Sequence, residues 1–211
     1  MACPFGDNSF CAYLSEELRE QLCRHCHIKR YAKGQWLLRR YWTEDLALCV
    51  SGLMINGVVN QQGKLITNGM MSKSYFISYG RSIFKMPDDY LDETVLCVTQ
   101  CDVAVFDHEF IDLLLDSNLE FVKSVFQQSI CACVHGTLPM MRTVGNSDAY
   151  TAVRYVYKFI QHFRLPMLTH DQVAMICNRS RPTVTKITHE LLKKEPELFA
   201  GYETAIRENC R

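Results

Sequence analysis

The period of apolar and polar positions changes three times along the chain. Leu14, Leu18 and Leu22 recur at helical spacing, and residues 15–27 are predicted to form a short amphipathic helix capped by Ser15. From Ile28 to about Val105 the helical period is lost. Short apolar runs (Trp36-Leu37-Leu38, Leu46 to Val50, Thr94 to Val98) alternate with turns at Lys33-Gly34, Ser51-Gly52, Gln62-Gly63 and Pro87-Asp88-Asp89. Many short strands at regular spacing predict a compact antiparallel barrel or sandwich. After Asp107 the helical period returns, with one short helix over 108–116. From Asn118 a stripe of Val122, Val125/Phe126, Ser129/Ile130, Cys133/Val134, Leu138 and Met141 runs close to a 3.5 repeat. Such a stripe serves either as a dimer seam or as a surface packed on the chain's own core. Gly136 and Pro139 predict a kink or break in it. Residues 147–164 form a further amphipathic helix with Ser147 as cap, broken at Arg164-Leu165-Pro166.

The sharpest local signal follows. Thr169 with Gln172 three residues on is a capping box, in which hydroxyl and side-chain amide each satisfy a backbone N–H. It predicts a helix over about 170–177. Ala174 lies four residues before Asn178, and Val184 six after it. A small residue lets two helices approach, a residue tolerant of positive φ makes the turn, and a β-branched residue pins the second helix. Ser180 caps that second helix, and Pro182 is admissible in its first turn. Val184, Ile187 and Leu191 then face inward, leaving Arg181, Thr183, Thr185, Lys186 and His189 toward solvent. This is the pattern of a helix-turn-helix with a basic, donor-rich recognition helix. Arg181 suits bidentate contact with guanine, while Thr169, Arg179 and Lys186 suit phosphates. His170, Ser180, Thr183 and Thr185 complete the candidate DNA-facing set.

Charge sharpens the division. The net charge is zero, yet residues 151–211 hold ten Lys/Arg against six Asp/Glu, a balance of +4, so residues 1–150 carry −4. An acidic sensor joined to a basic nucleic-acid-binding unit has this asymmetry. Hydrophobic residues make up 48%, enough for a core. No apolar run approaches the ~20 residues that cross a bilayer. The N-terminus shows neither a basic region nor an apolar signal core, which leads to the expectation of a cytoplasmic protein. Eleven cysteines in such a compartment point to metal or redox chemistry, or to small buried apolar residues, rather than to disulfides.

The order of elements, the phrase Asn178-Arg179-Ser180-Arg181-Pro182-Thr183-Val184-Thr185-Lys186, the turn glycines Gly34, Gly52 and Gly63, and Cys101-Asp102-Val103-Ala104-Val105-Phe106 before the helices together resemble the Crp/Fnr family of transcription regulators. The resemblance covers nearly the whole chain. It implies an α+β fold: an antiparallel, cyclic-nucleotide-binding-like β-roll with its N-terminal helix (1–117), a long dimerisation helix and hinge (118–145), and a winged helix-turn-helix (146–211). It further implies a homodimer joined through Val122, Val125, Phe126, Ser129 and Cys133, a palindromic double-stranded DNA operator, and RNA polymerase as partner.

Two departures from the family pattern bear on the effector. Members that bind cyclic nucleotides carry Gly-Glu and Arg-Ser pairs around the phosphate. Here Asp92-Glu93-Thr94 stands where Arg-Ser is expected, and carboxylates there repel a cyclic phosphate, so cyclic AMP is not expected to bind. Gly80-Arg81-Ser82 comes too early for the role. Iron–sulfur members use N-terminal cysteines, and this chain has Cys3, Cys11, Cys23 and Cys26, at a different spacing. On one helix, Cys23 and Cys26 stand a turn apart and suit an iron–sulfur cluster, another metal or a redox pair; the alternative is that they merely pack. Cys23-Arg-His-Cys26-His27 also matches a c-type haem attachment string, chemistry that belongs outside the cytosol. A small organic effector lined by Tyr75, Phe76, Tyr79 and Met86 is another candidate, and a constitutive regulator with no effector a third.

Two rival classes make other demands on the sequence. A cupin-like metalloenzyme needs histidines inside the strand-rich stretch, and none of the seven falls between 28 and 105. A protein-binding adaptor would use the same C-terminal helices on another protein, and only salt-dependent DNA binding separates it from a regulator.

Overall fold

A computed structural model describes residues 9–38, 46–79, 93–134, 148–202 and 205. Two short helices, α1 (Ser9–Ala12) and α2 (Glu16–Arg24), lead into eight strands: β1 (Cys26–Tyr31), β2 (Trp36–Leu38), β3 (Leu46–Ser51), β4 (Met54–Val59), β5 (Leu65–Met71), β6 (Phe76–Tyr79), β7 (Glu93–Cys97) and β8 (Cys101–Phe106). The remainder is helical: α3 (His108–Ser117), α4 (Leu119–Ala132), α5 (Ala149–His162), α6 (His170–Cys177), α7 (Arg181–Lys194) and a 3₁₀ turn (Pro196–Phe199).

The strands form two four-stranded antiparallel sheets, ordered β1-β8-β3-β6 and β2-β7-β4-β5. Side-chain alternation explains why Leu46–Val50 and Thr94–Val98 read as unbroken apolar runs. Ala47, Cys49, Val103 and Val105 point between the sheets, where they meet Met54, Val95 and Cys97. Leu46, Leu48, Ala104 and Phe106 point the other way, onto Phe10, Leu18, Leu22, Ile111 and Phe121 of the flanking helices. The second sheet is covered outside as well: Leu53, Ile55, Leu65, Met70, Leu96 and Val98 share one core with Val153, Val156, Ile176, Val184 and Leu191. The central strands of each sheet are thus buried on both faces, while edge strand β1 stays largely exposed, and the roll and the C-terminal helices are continuous through side-chain packing.

Gly52 combines a left-handed backbone with a close approach to a neighbouring segment. Its φ is +92°, and a Cβ there would lie 2.3 Å from the Gln100 carbonyl oxygen. Only glycine fits both the backbone and the space.

Several expectations shift by a few residues. Ser15 sits at the N-cap of α2 without a side-chain cap bond, and α2 ends at Arg24, so Cys26 and His27 belong to β1. Long-range pairing wins there, Cys26 lying opposite Phe106 and His27 opposite Val105. Asp148, not Ser147, caps α5 by accepting from the Tyr150 N–H, and Ser147 lies outside the described residues. The predicted interruption at Gly136 and Pro139 also lies outside them.

The stripe on α4 divides into two faces. Phe121, Ser124, Val125, Gln128 and Ala132 are buried against the chain's own core. Leu119, Phe126, Ile130 and Val134 stay exposed, at 67%, 63%, 46% and 48%. Val125, at 5%, is therefore an intramolecular core residue rather than a seam residue. The same 3.5 spacing serves one residue inward and its neighbour outward. Val122 and Ser129 are half-buried and Cys133 exposed, on or beside the outward face.

Candidate nucleic-acid interface

The helix-turn-helix is built as its local chemistry requires. Thr169 and Gln172 form the complete capping box of α6. Asn178 ends that helix in the left-handed region, at φ 53°, and the Arg179 N–H closes the turn on the Ala174 carbonyl at 2.9 Å. Ser180 caps α7 by accepting from the Thr183 N–H, with Pro182 in the first turn. Val184, Ile187 and Leu191 are buried as the spacing demands.

Two polar contacts fix how α7 lies. Thr188, fully buried, donates to the Val184 carbonyl at 2.9 Å and shares a 2.9 Å hydrogen bond with the Tyr157 hydroxyl of α5. At the far end Arg154 grips Glu195 bidentately, Nε to Oε1 at 2.7 Å and Nη2 to Oε2 at 2.6 Å, which holds the Glu195 carboxyl below its usual pKa. A planar guanidinium on a carboxylate fixes direction as well as distance.

The candidate contacts then separate into those that face outward and those that position them. Arg181 and Lys186 are exposed on α7, and exposed His189 adds a third nitrogen-bearing side chain on the same helix. Arg181 Nε lies 3.7 Å from Asp171 of α6, a loose surface pair that costs little to break. Arg179 is half-buried in the turn, with one guanidinium N–H on the Asn178 carbonyl. Thr169 and Ser180 are exposed at the helix starts, their hydroxyls engaged in capping. Thr183 is half-buried, its hydroxyl 2.8 Å from that of Ser180.

His170 requires a correction. It is 3% exposed, and its Nδ1 shares a 2.9 Å hydrogen bond with the Thr185 hydroxyl. The two residues lock α6 to α7 instead of facing DNA, because the first turn of α6 lies against the middle of α7. Burial, with the charges of His189 and Arg181, lowers the His170 pKa and keeps the ring neutral at pH 7. The exposed His189, by contrast, was legible as an outward position of α7 without being singled out.

The winged element expected beyond α7 is not formed by residues 196–199, which make the 3₁₀ turn; residues 203, 204 and 206–211 lie outside the described set.

The N-terminal cysteines do not gather. Cys11 is buried among Phe10, Leu14 and Leu18. Cys26, in β1, cannot share a helix face with Cys23; its thiol instead contacts the Cys23 carbonyl at 3.6 Å. Cys3 lies outside the described residues, among which no three His, Cys, Asp or Glu side chains converge on a metal-sized site. Of the candidate effector residues, Tyr75 and Phe76 are buried in two different cores, and Met86 lies outside the described residues, as does the Tyr79 side chain.

No protein-family model and no curated protein matches the sequence. Solved structures do. The c-di-GMP-responsive global regulator CLP of Xanthomonas campestris superposes with a TM-score of 0.63 at 12% identity, over 85% of this chain and 93% of that one. FixK2 of Bradyrhizobium japonicum gives 0.61 at 10% identity, over 80% and 85% of the two chains. A Crp/Fnr-family transcriptional regulator of Thermus thermophilus gives 0.52 at 15% identity, over 80% and 87%. With β-roll, connecting helix and helix-turn-helix in the same order, the chain has the fold of the Crp/Fnr transcription regulators.

Proposed function

We propose that the chain is a sequence-specific DNA-binding transcription regulator. The observation that carries this reading is the start of α7: a capped, rigidly seated helix whose exposed N-terminal residues include Arg181 and whose next outward turn carries Lys186. Arg181 reads a guanine edge, while Lys186, Arg179 and Thr169 contact phosphates. The protein acts as a homodimer through the outward face of α4 and the two residues that follow it, built from Leu119, Phe126, Ile130 and Val134, with Val122, Ser129 and Cys133 at its margin. Four exposed apolar side chains at coiled-coil spacing support that role. Two-fold symmetry then requires a palindromic operator with half-sites about one helical turn, ~34 Å, apart. RNA polymerase is its partner on the promoter, and cyclic AMP is not its effector, given Asp92-Glu93.

Selection of bound sequences from a random duplex pool tests the proposal. The expected result is an inverted repeat of that spacing. Recovery of no enriched sequence, with binding that depends on salt alone, would overturn the sequence-specific reading.

A further inference from the structure

A cleft of about 430 Å³ opens where the roll meets the helices, within the range of ~300–1,000 Å³ typical of small-molecule sites. The turn before β6 (residues 73–75), one face of α4 and the end of α5 (residues 162–164) wall it. It is formed by parts of the chain that the DNA-facing surface does not use.

Three features distinguish it from a packing gap. Lys73, His162 and Arg164 line it, and no carboxylate among the described residues does. Neither Lys73 nor Arg164 forms an ion pair among the described residues. Tyr75, only 5% exposed, lines the cleft, and its buried hydroxyl has no hydrogen-bond partner there. A shielded hydroxyl without a partner is costly and rare. Finally, Ser74 and Arg164 hold φ values of 75° and 49°, where glycine is the cheap choice. Of the three non-glycine residues with positive φ among those described, two line this one cleft (Asn178 of the helix turn is the third), and strain of this kind collects at ligand sites. Gln128 holds the Ser74 turn in place by donating to its carbonyl at 2.6 Å.

The wall beside the cations is aromatic. Phe163 packs edge-on to Tyr75 with ring centroids 5.6 Å apart, and tilts against Phe159 at 4.5 Å. Tyr13, half exposed, lines the cleft as well. From this juxtaposition we propose that the cleft binds a small aromatic anion, an aryl phosphate or aryl carboxylate. Lys73 and Arg164 hold its acidic group, and its ring lies against Phe163 and Tyr13. Because one cation comes from the roll and the other from the end of α5, the ligand bridges the two units.

Calorimetric titration of the full chain with phenyl phosphate, benzoate, inorganic phosphate and phenol at constant ionic strength tests this. At least one of the two aryl anions should bind with Kd on the order of 1 mM or tighter, and which one binds identifies the acidic group. Inorganic phosphate and phenol should each bind at least tenfold more weakly. Arg164→Gly and Lys73→Ala should each weaken the aryl anion at least tenfold, about 1.4 kcal/mol. Arg164→Gly keeps the fold testable, since glycine relaxes the left-handed position and Tm should hold or rise. The proposal is overturned if neither aryl anion binds, if both variants bind as the wild type does, or if phenol or inorganic phosphate binds as tightly as the aryl anion. No DNA is needed, so failure here leaves the DNA-reading proposal untouched.

Discussion

The side-chain amide of Gln172 donates to the backbone carbonyl of Val98 at 2.8 Å, while its oxygen accepts from the Thr169 N–H at 2.9 Å. One side chain therefore both starts the first helix of the helix-turn-helix and fastens it to the end of β7 in the second sheet of the roll. Gln172→Ala should cost ~1–2 kcal/mol in urea unfolding, more than a cap alone, because the Val98 carbonyl also loses its donor. Gln172→Glu, which keeps the acceptor but not the donor, should recover only part of the loss.

Arg181 and Lys186 should differ in kind. Arg181→Ala should cost ~1–3 kcal/mol on the selected operator and little on random duplex, relaxing preference at one base pair. Lys186→Ala should weaken both equally and lower the salt slope by about 1. Anisotropy titrations on the two duplexes at several salt concentrations separate the roles. Equal losses on both for Arg181→Ala would remove it from base reading.

Neighbouring residues on α4 should give opposite phenotypes. Phe126→Glu alters an exposed side chain and should weaken the dimer by roughly 2–4 kcal/mol while leaving the monomer folded. Val125→Glu places a carboxylate in the core and should destabilise the fold by ~3 kcal/mol or more. Sedimentation and thermal melts, run on both variants, give the comparison.

The buried His170 makes stability depend on acid. Its folded pKa lies below the ordinary value of 6.5, so the unfolded chain takes up the proton first as pH falls. Its contribution is complete above about pH 6.5 and is lost as pH falls from there through the folded pKa. The urea midpoint should decline between pH 7 and pH 5.5, and His170→Gln should flatten that decline. An unchanged slope in the variant would assign the dependence to other groups.

What was legible in the sequence follows from the range of the forces involved. The capping box at Thr169 and Gln172, the turn at Asn178 and the cap at Ser180 are local chemistry, and each is found at its expected residue. The faces of α4 were not legible. A 3.5 period marks Val125 and Phe126 as one position, and only the tertiary fold sends one inward. Cys26 reads as helix until its pairing with Phe106 draws it into a strand, a contact 80 residues away. The His170–Thr185 bond likewise spans 15 residues. The cleft is the extreme case: Tyr13, Lys73 and Arg164 come from three distant segments, and no window of sequence contains them together.

The outer sheet of the roll, covered by Val153, Val156, Ile176, Val184 and Leu191, has a consequence for how the protein can be handled and how it melts. Cut away from its helices, the roll would turn Leu53, Ile55, Leu65, Met70, Leu96 and Val98 toward water as one oily face, an invitation to clumping. The two halves are not beads on a string. Heat should take them apart in a single transition, and slow amide exchange should run unbroken from β4 through α5 into α7.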